Sequence, residues 1–175
     1  FNLRQKKFFS KKYFKLNKNE HKISSSNINA LNRSKIVSQI IKKKLKKFKN
    51  LNILDIGCAN GNLLYELSKK CPNNNFFGLE KNIYFKKEFP KKKNFFFFNN
   101  INRTKEKFDI IIFSHSLFYF KNLKKIIDFS LKILSKKGKL FIIIPNIAKN
   151  PFYALVGDQK AIFTKNNIKN IFRYF

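Results

Sequence analysis

The chain has 175 residues, 39 basic and 9 acidic, for a formal net charge of +30, and 43% of it is hydrophobic. That length and apolar content describe one globular domain of ordinary size and exclude a disordered chain. No apolar run approaches the roughly 18 residues of a membrane span. Phe1 to Phe14 has neither the apolar core nor the small-residue cleavage site of a signal peptide. Lys, Asn, Phe and Ile, which share A/T-rich codons, make up 104 of the 175 residues, and Lys outnumbers Arg 35 to 4. The chain contains no Met and opens on Phe1, and it reads as a fragment.

Residues 1–29 are polar and basic and read as a tail or the remnant of an upstream region. Within them Phe1 to Lys18 interleaves Lys with Phe8, Phe9, Tyr13 and Phe14, a pattern that suits RNA or a membrane surface. Elsewhere the Lys residues are spread over the chain, as a solvated surface shaped by codon drift would be. From Ala30 to Phe48 the positions Ile36, Val37, Ile40, Ile41, Leu45 and Phe48 follow a helical period. Leu51 to Ile56 is a short apolar strand ended by Gly57-Cys58-Ala59-Asn60-Gly61, and a helix follows through Leu63, Leu64 and Leu67.

Asn75 to Glu80 reads as a second strand, Ile83 to Phe89 as a short charged helix, Phe95 to Phe98 as a third strand and Phe108 to Phe113 as a fourth. Four consecutive aromatics at 95–98 suit a strand buried on both faces. Leu123, Ile126, Ile127, Ser130, Leu131 and Leu134 line one helix face, with Gly138 as its C-terminal glycine. Leu140 to Ile144 is the fifth strand, and a last helix runs from Thr164, its N-cap, towards Phe175. Strands alternating with helices predict an α/β domain over 30–175, doubly wound around a mostly parallel sheet. Ligands of such sheets bind beyond the carboxyl ends of the strands, here just after Ile56, Leu79, Phe98 and Phe113.

The glycine spacing after the first strand, Gly57-x-x-x-Gly61 with Leu64 where a third glycine would fall, argues against NAD or FAD. No Gly-Lys-Ser/Thr follows, so it is no phosphate-binding P-loop. Asp55 precedes the glycines, and Glu80 ends the second strand, where a carboxylate can accept two hydrogen bonds from a ribose diol. A ligand with an ammonium and a sulfonium but no phosphate wants these carboxylates and a close backbone. Cys58 and Cys71 have no paired spacing and no His cluster, so no metal site is expected, and two free thiols suit a reducing cytoplasm.

The run Ile53-Leu54-Asp55-Ile56-Gly57-Cys58-Ala59-Asn60-Gly61-Asn62-Leu63-Leu64 resembles motif I of the class I S-adenosylmethionine-dependent methyltransferases. Phe77-Gly78-Leu79-Glu80 is similar to their second motif. Lys107-Phe108-Asp109-Ile110 and Leu134 to Leu140 resemble the approaches to their fourth and fifth strands. Ile144-Pro145-Asn146, Asn150-Pro151-Phe152, Gly157-Asp158 and Phe163-Thr164 look like the members associated with surface-polysaccharide and modified-sugar biosynthesis. The resemblance implies a Rossmann-like methyltransferase fold whose last two strands are missing here, S-adenosylmethionine as cofactor, and a small-molecule or sugar-linked acceptor. An RNA methyltransferase, motivated by the charge, and a non-catalytic remnant of the fold are the alternatives.

By that resemblance Asp55 and Gly57 hold the methionine end of the cofactor, while Cys58, Ala59 and Gly61 shape the loop and Glu80 binds the ribose. Asn99 or Asn100 stands near the position where relatives often use Asp against the adenine amino group. Ser114 and His115 flank the methyl group, with His115 the candidate base for a hydroxyl or carbon acid. Phe118-Tyr119 and Gln159 replace a Glu-His pair and a His that such relatives carry, so the cofactor side is closer to the family pattern than the acceptor side. Structural roles stand beside these: a strand-end cap for Asp55, a solvated acid for Glu80, a satisfied structural histidine for His115. Asp109 is expected to be structural.

Overall fold

A computed structural model of the chain describes residues 25–45, 49–100, 106–147 and 163–171. The basic segment 1–18, Phe48, the Asn150-Pro151-Phe152 and Gly157-Asp158-Gln159 stretches and residues 172–175 lie outside them. The elements in chain order are α1 (Ser25–Lys44), β1 (Asn52–Ile56), α2 (Asn62–Lys70), β2 (Asn75–Leu79), β3 (Phe95–Phe98), β4 (Phe108–Ser114), α3 (Leu123–Ile133), β5 (Leu134–Ile143) and α4 (Lys165–Ile171). Short 3-10 turns at Ile83–Lys87 and Leu117–Tyr119 follow β2 and β4.

All five strands are parallel, in the order β3-β2-β1-β4-β5. The order reverses between β1 and β4, which opens a crevice above their carboxyl ends. On one face Val37 and Ile41 of α1 and Leu63, Leu64 and Leu67 of α2 pack with Ile53, Phe76, Ile110 and Ile112. On the other, Ile126, Ile127 and Ile133 of α3 pack with Leu54, Ile56, Phe108, Ile111 and Phe113. Each fully buried Ile or Phe contributes roughly 1.5–3 kcal/mol, and the central strands β1 and β4 carry most of them.

Four expectations are corrected. α1 begins at Ser25 rather than Ala30, because neutral Ser and Asn extend a helix that packing has already nucleated. Of its apolar positions, Val37 and Ile41 face the core while Ile36 and Ile40 are 57% and 50% exposed, since positions 36 and 37 point about 100° apart. Phe95 to Phe98 is not buried on both faces: β3 is an edge strand and Phe96 is exposed, its ring stacked on Phe77 at 4.8 Å. Gly138 does not end α3. The helix stops at Ile133, Leu131 on it is exposed, and Gly138 lies inside β5, whose register against β4 shifts between Phe108 and Ile110.

Thr164 caps α4 as expected: Asn167 N–H donates to its Oγ1 at 3.2 Å, and Thr164 N–H donates to Asn167 Oδ1 at 2.6 Å. Asp109 is structural, also as expected. Its carboxylate accepts from Asn52 N–H at 2.9 Å and from Ser135 Oγ at 3.0 Å, tying together the amino ends of β1, β4 and β5. Asp109→Ala is expected to cost about 1–3 kcal/mol in urea unfolding because two donors lose their acceptor. Asp128→Ala, which breaks an exposed pair with Lys124, is expected to stay within about 0.5 kcal/mol. Equal effects would contradict the structural role of Asp109.

Candidate functional site

Every residue singled out for the site lies at or just past the carboxyl end of a strand. β1 ends in Asp55-Ile56 and the chain turns at Gly57, where φ is +78°. A side chain at Gly57 would place its Cβ 2.5 Å from Ser116 Cβ, so the turn needs glycine for space as well as for its backbone angle. Gly57 N–H and Cys58 N–H both donate to Leu79 O, at 2.7 and 3.3 Å, which holds the turn against the end of β2. Ser116 Oγ donates to Ile56 O from the other flank, in a short hydrogen bond. Ala59 takes a positive φ of 46°, and Gly61, at +78°, is the N-cap of α2.

Glu80 reaches back across this turn. Its Oε2 accepts from Ala59 N–H at 3.1 Å and its Oε1 from Asn82 N–H at 2.9 Å. Backbone amides on either side of the turn therefore fix the carboxylate. It is not a freely solvated acid, and burial pushes its carboxyl above the ordinary value although the amides pull it down. Gly78, opposite Asp55 in the β1–β2 register, leaves room for the Phe89 ring and Cys58 Sγ, which a Cβ there would meet at 2.5 and 2.6 Å. Cys58 and Cys71 are free thiols; burial, first, and the charges of Asp55 and Glu80 raise the Cys58 thiol well above its usual range.

Asp55 is 2% exposed, and its Oδ1 has no hydrogen-bond partner among the described residues. Burial, and then the charge of Glu80, push its carboxyl up to about 8. At least one of its oxygens is therefore not satisfied by a strand-end amide. His115 follows β4 with a φ of +55°, its N–H donating to Ile143 O at 2.9 Å. Its Nδ1 has no partner either, and burial with the charge of Arg33 lowers the imidazole to about 4. Ser114 is half-buried at the end of β4, and Asn99 and Asn100 are exposed after β3. Asn99 lines a hollow of about 150 Å³ with Ile83, Lys86, Phe97 and Phe98.

Two residues that sequence reasoning missed belong to this edge. Ser116 sets the gap between β1 and β4, and no spacing rule marks it. Asn82 Oδ1 accepts from Tyr84 N–H at 3.1 Å while its buried Nδ2 has no partner among the described residues. An Asn two residues after a strand-end acid reads as an ordinary turn residue, so its orphaned donor is visible only in three dimensions.

Asp55 Oδ1, Asn82 Nδ2 and His115 Nδ1 are thus three buried, unpaired polar atoms at one edge of one sheet. Native interiors pair nearly all such atoms, so these three exceptions make the carboxyl edge the candidate site.

Residues 29–160 match the family of methyltransferase domains. The chain belongs to that family. No curated protein matches it. Among solved structures, the methyltransferase domain resembles the plantazolicin methyltransferase in complex with a pentazolic desmethylPZN analog and SAH, at 20% identity and a TM-score of 0.63. That match covers 93% of this chain and 63% of the other, so the chain spans less than two thirds of that protein. A putative S-adenosyl-L-methionine-dependent methyltransferase from Methanococcus maripaludis is 17% identical with a TM-score of 0.70, covering 94% of this chain and 82% of its own. A putative methyltransferase from an antibiotic biosynthesis pathway of Anabaena variabilis is 16% identical with a TM-score of 0.62, covering 77% of this chain and 57% of that one. At these identities the likeness shows the fold, a Rossmann-like methyltransferase sheet. Among the described residues no helix is long and apolar enough to cross a membrane.

The two unpaired titratable groups give the domain a distinctive pH response. Asp55 keeps a proton in the folded state, near 8, that the unfolded chain releases at its ordinary 3.8, so this group costs stability increasingly as pH rises from about 4 to 8. His115 works oppositely, from about 4 folded to 6.5 unfolded, and its share of stability is gained as pH rises through that window. Asp55→Asn is therefore expected to melt above wild type, by a margin that widens between pH 4 and 8. A margin that is absent or constant with pH would contradict the burial of an unpaired carboxyl.

Proposed function

We propose that the chain is an S-adenosylmethionine-dependent methyltransferase acting on a small-molecule or sugar-linked acceptor. The observation that carries this reading is that unpaired buried polar atoms occur at the carboxyl ends of β1, β2 and β4 in a methyltransferase domain. The residues present fit the cofactor. Asp55 Oδ1 offers an unused acceptor to its ammonium group, and Glu80, held by Ala59 and Asn82 amides, faces its ribose hydroxyls. Gly57, Cys58, Ala59 and Gly61 form the wall it lies along, and Asn99 or Asn100 takes the adenine beside the small hollow after β3. When bound, the cofactor's sulfonium supplies a methyl group to an acceptor nucleophile, the carbon–sulfur electron pair returning to sulfur and the acceptor's proton passing to a base.

The chain's own contribution is orientation, water exclusion and that proton. His115 is the base of this scheme: its imidazole is neutral at physiological pH and carries an unpaired ring nitrogen beside Ser114. The small-molecule assignment is supported by the plantazolicin methyltransferase, crystallised with a desmethylPZN analog. The sugar-linked one is supported by the Ile144-Pro145-Asn146 and Phe163-Thr164 motifs. We place the reaction in the cytoplasm, where Cys58 and Cys71 stay reduced.

Calorimetric titration with S-adenosylhomocysteine tests the reading. Micromolar binding by the wild type, weakened at least about tenfold in Glu80→Ala, is the expected result, since hydrogen bonds to a charged group contribute roughly 1.5–3 kcal/mol. No binding by the folded wild type, or equal affinity in the variant, would overturn it.

A further inference from the structure

The inward stripe of α1 ends in an arginine. Arg33, Val37 and Ile41 follow one another at intervals of four and share one helix face. Val37 and Ile41 are buried against Ile53, Ile110 and Ile112 of the central strands. Lys139 Nζ, level in the sheet with Ile110 and Ile53 near the amino ends of β4 and β1, donates to Lys44 O at 3.4 Å, which puts the C-terminus of α1 towards the amino ends of those strands. The N-terminal half of α1 therefore climbs towards the carboxyl edge, and Arg33 stands one turn, about 6 Å, beyond Val37 on the side of the site. It is half-buried, whereas Lys35, Lys42, Lys43 and Lys44 of the same helix are exposed.

Arg33 has no carboxylate to answer it. Among the described residues the ion pairs are Lys69–Glu66 and Lys124–Asp128, both far along the chain from α1. The acids of the site, Asp55 and Glu80, are committed to the cofactor side, and Arg33 is the charge that bears on His115. His115 N–H is tied to Ile143 O, and Ile143 packs against the same cluster as Val37 and Ile41, so the half-buried Arg33 and an imidazole whose Nδ1 is unpaired lie on the same face of the sheet, a fork-shaped donor and a proton acceptor at its carboxyl edge.

We propose that Arg33 and His115 form an anion-binding acceptor subsite, so that the methyl acceptor carries a carboxylate or a phosphate held by Arg33 while His115 faces its nucleophilic atom. This rests on the methyltransferase reading and names its substrate class. The pairing also has a catalytic logic. Burial first, and then the free guanidinium, depress the basicity of His115. An acceptor anion neutralises that charge, and the imidazole becomes a stronger base only when a substrate is in place. The half-buried cation on the core-facing stripe of α1 is an arginine, the side chain suited to bidentate recognition of carboxylate or phosphate.

The test is an NMR titration of the His115 ring, assignable because the chain has 2 His, with inorganic phosphate and with acetate as probes. It is run on wild type, Arg33→Gln and Lys35→Gln, the last removing an exposed charge from the outer face of the same helix. The expected result is a saturable shift and a raised His115 pKa in wild type, weakened at least about tenfold in Arg33→Gln and unchanged in Lys35→Gln. The anion that binds tighter decides between phosphate and carboxylate. No saturable shift with either probe, an unaltered response in Arg33→Gln, or equal weakening in Lys35→Gln would overturn the subsite. S-adenosylhomocysteine titration of the same samples separates the two ideas: a chain that binds the anion through Arg33 but not the nucleoside keeps the subsite and loses the methyltransferase reading.

Discussion

The carboxyl end of β1 is gripped from both sides, and the rest of the site hangs on that grip. Gly57 N–H reaches Leu79 O of β2, and Ile56 O receives the Ser116 hydroxyl from beyond β4. No side chain fits at Gly57, because Ser116 occupies the space a Cβ would take. The two strand ends are thereby held at a fixed separation. The first turn of the crevice becomes a rigid wall on which Asp55 and Glu80 are set at defined positions.

That rigidity explains how the domain tolerates costly groups. A buried carboxyl with one oxygen unpaired, a backbone strained at Ala59 and His115, and an unpaired imidazole are each unfavourable in isolation. They persist because β1 and β4, whose buried Ile and Phe residues supply the core, overdetermine the backbone around them. Stability resides in the middle of the sheet and unpaired polarity at its carboxyl edge, the edge at which open parallel sheets bind their ligands. The opposite edge is satisfied: there Asp109 spends both oxygens on Asn52 and Ser135.

Much of this was legible in the residues. Strand, helix and cap signals marked the nine helices and strands of the described residues, and Asp55-x-Gly57 with Glu80 marked the turn at the carboxyl edge that the structure places across β1 and β2. What the pattern concealed depended on tertiary placement. Phe95 to Phe98 looks like a central strand until the sheet order puts it at the edge. Gly138 looks like a helix terminus until β5 extends back to Leu134. Ile36 and Ile40 look like core because periodicity alone does not say how narrow the contact stripe is. Ser116, Asn82 and Arg33 carry no local signal at all: each matters through a neighbour distant in sequence.

The central claim is that the unpaired Asp55 carboxyl is the seat of a ligand ammonium group. Calorimetry of S-adenosylhomocysteine binding at pH 7, repeated in buffers of different ionisation enthalpy, tests it most directly. A carboxyl held near 8 is largely protonated in the free domain and ionises when it meets a cation. The account predicts release of about one proton per ligand bound, lost in Asp55→Asn. Binding without proton release, or the same release in the variant, would contradict it.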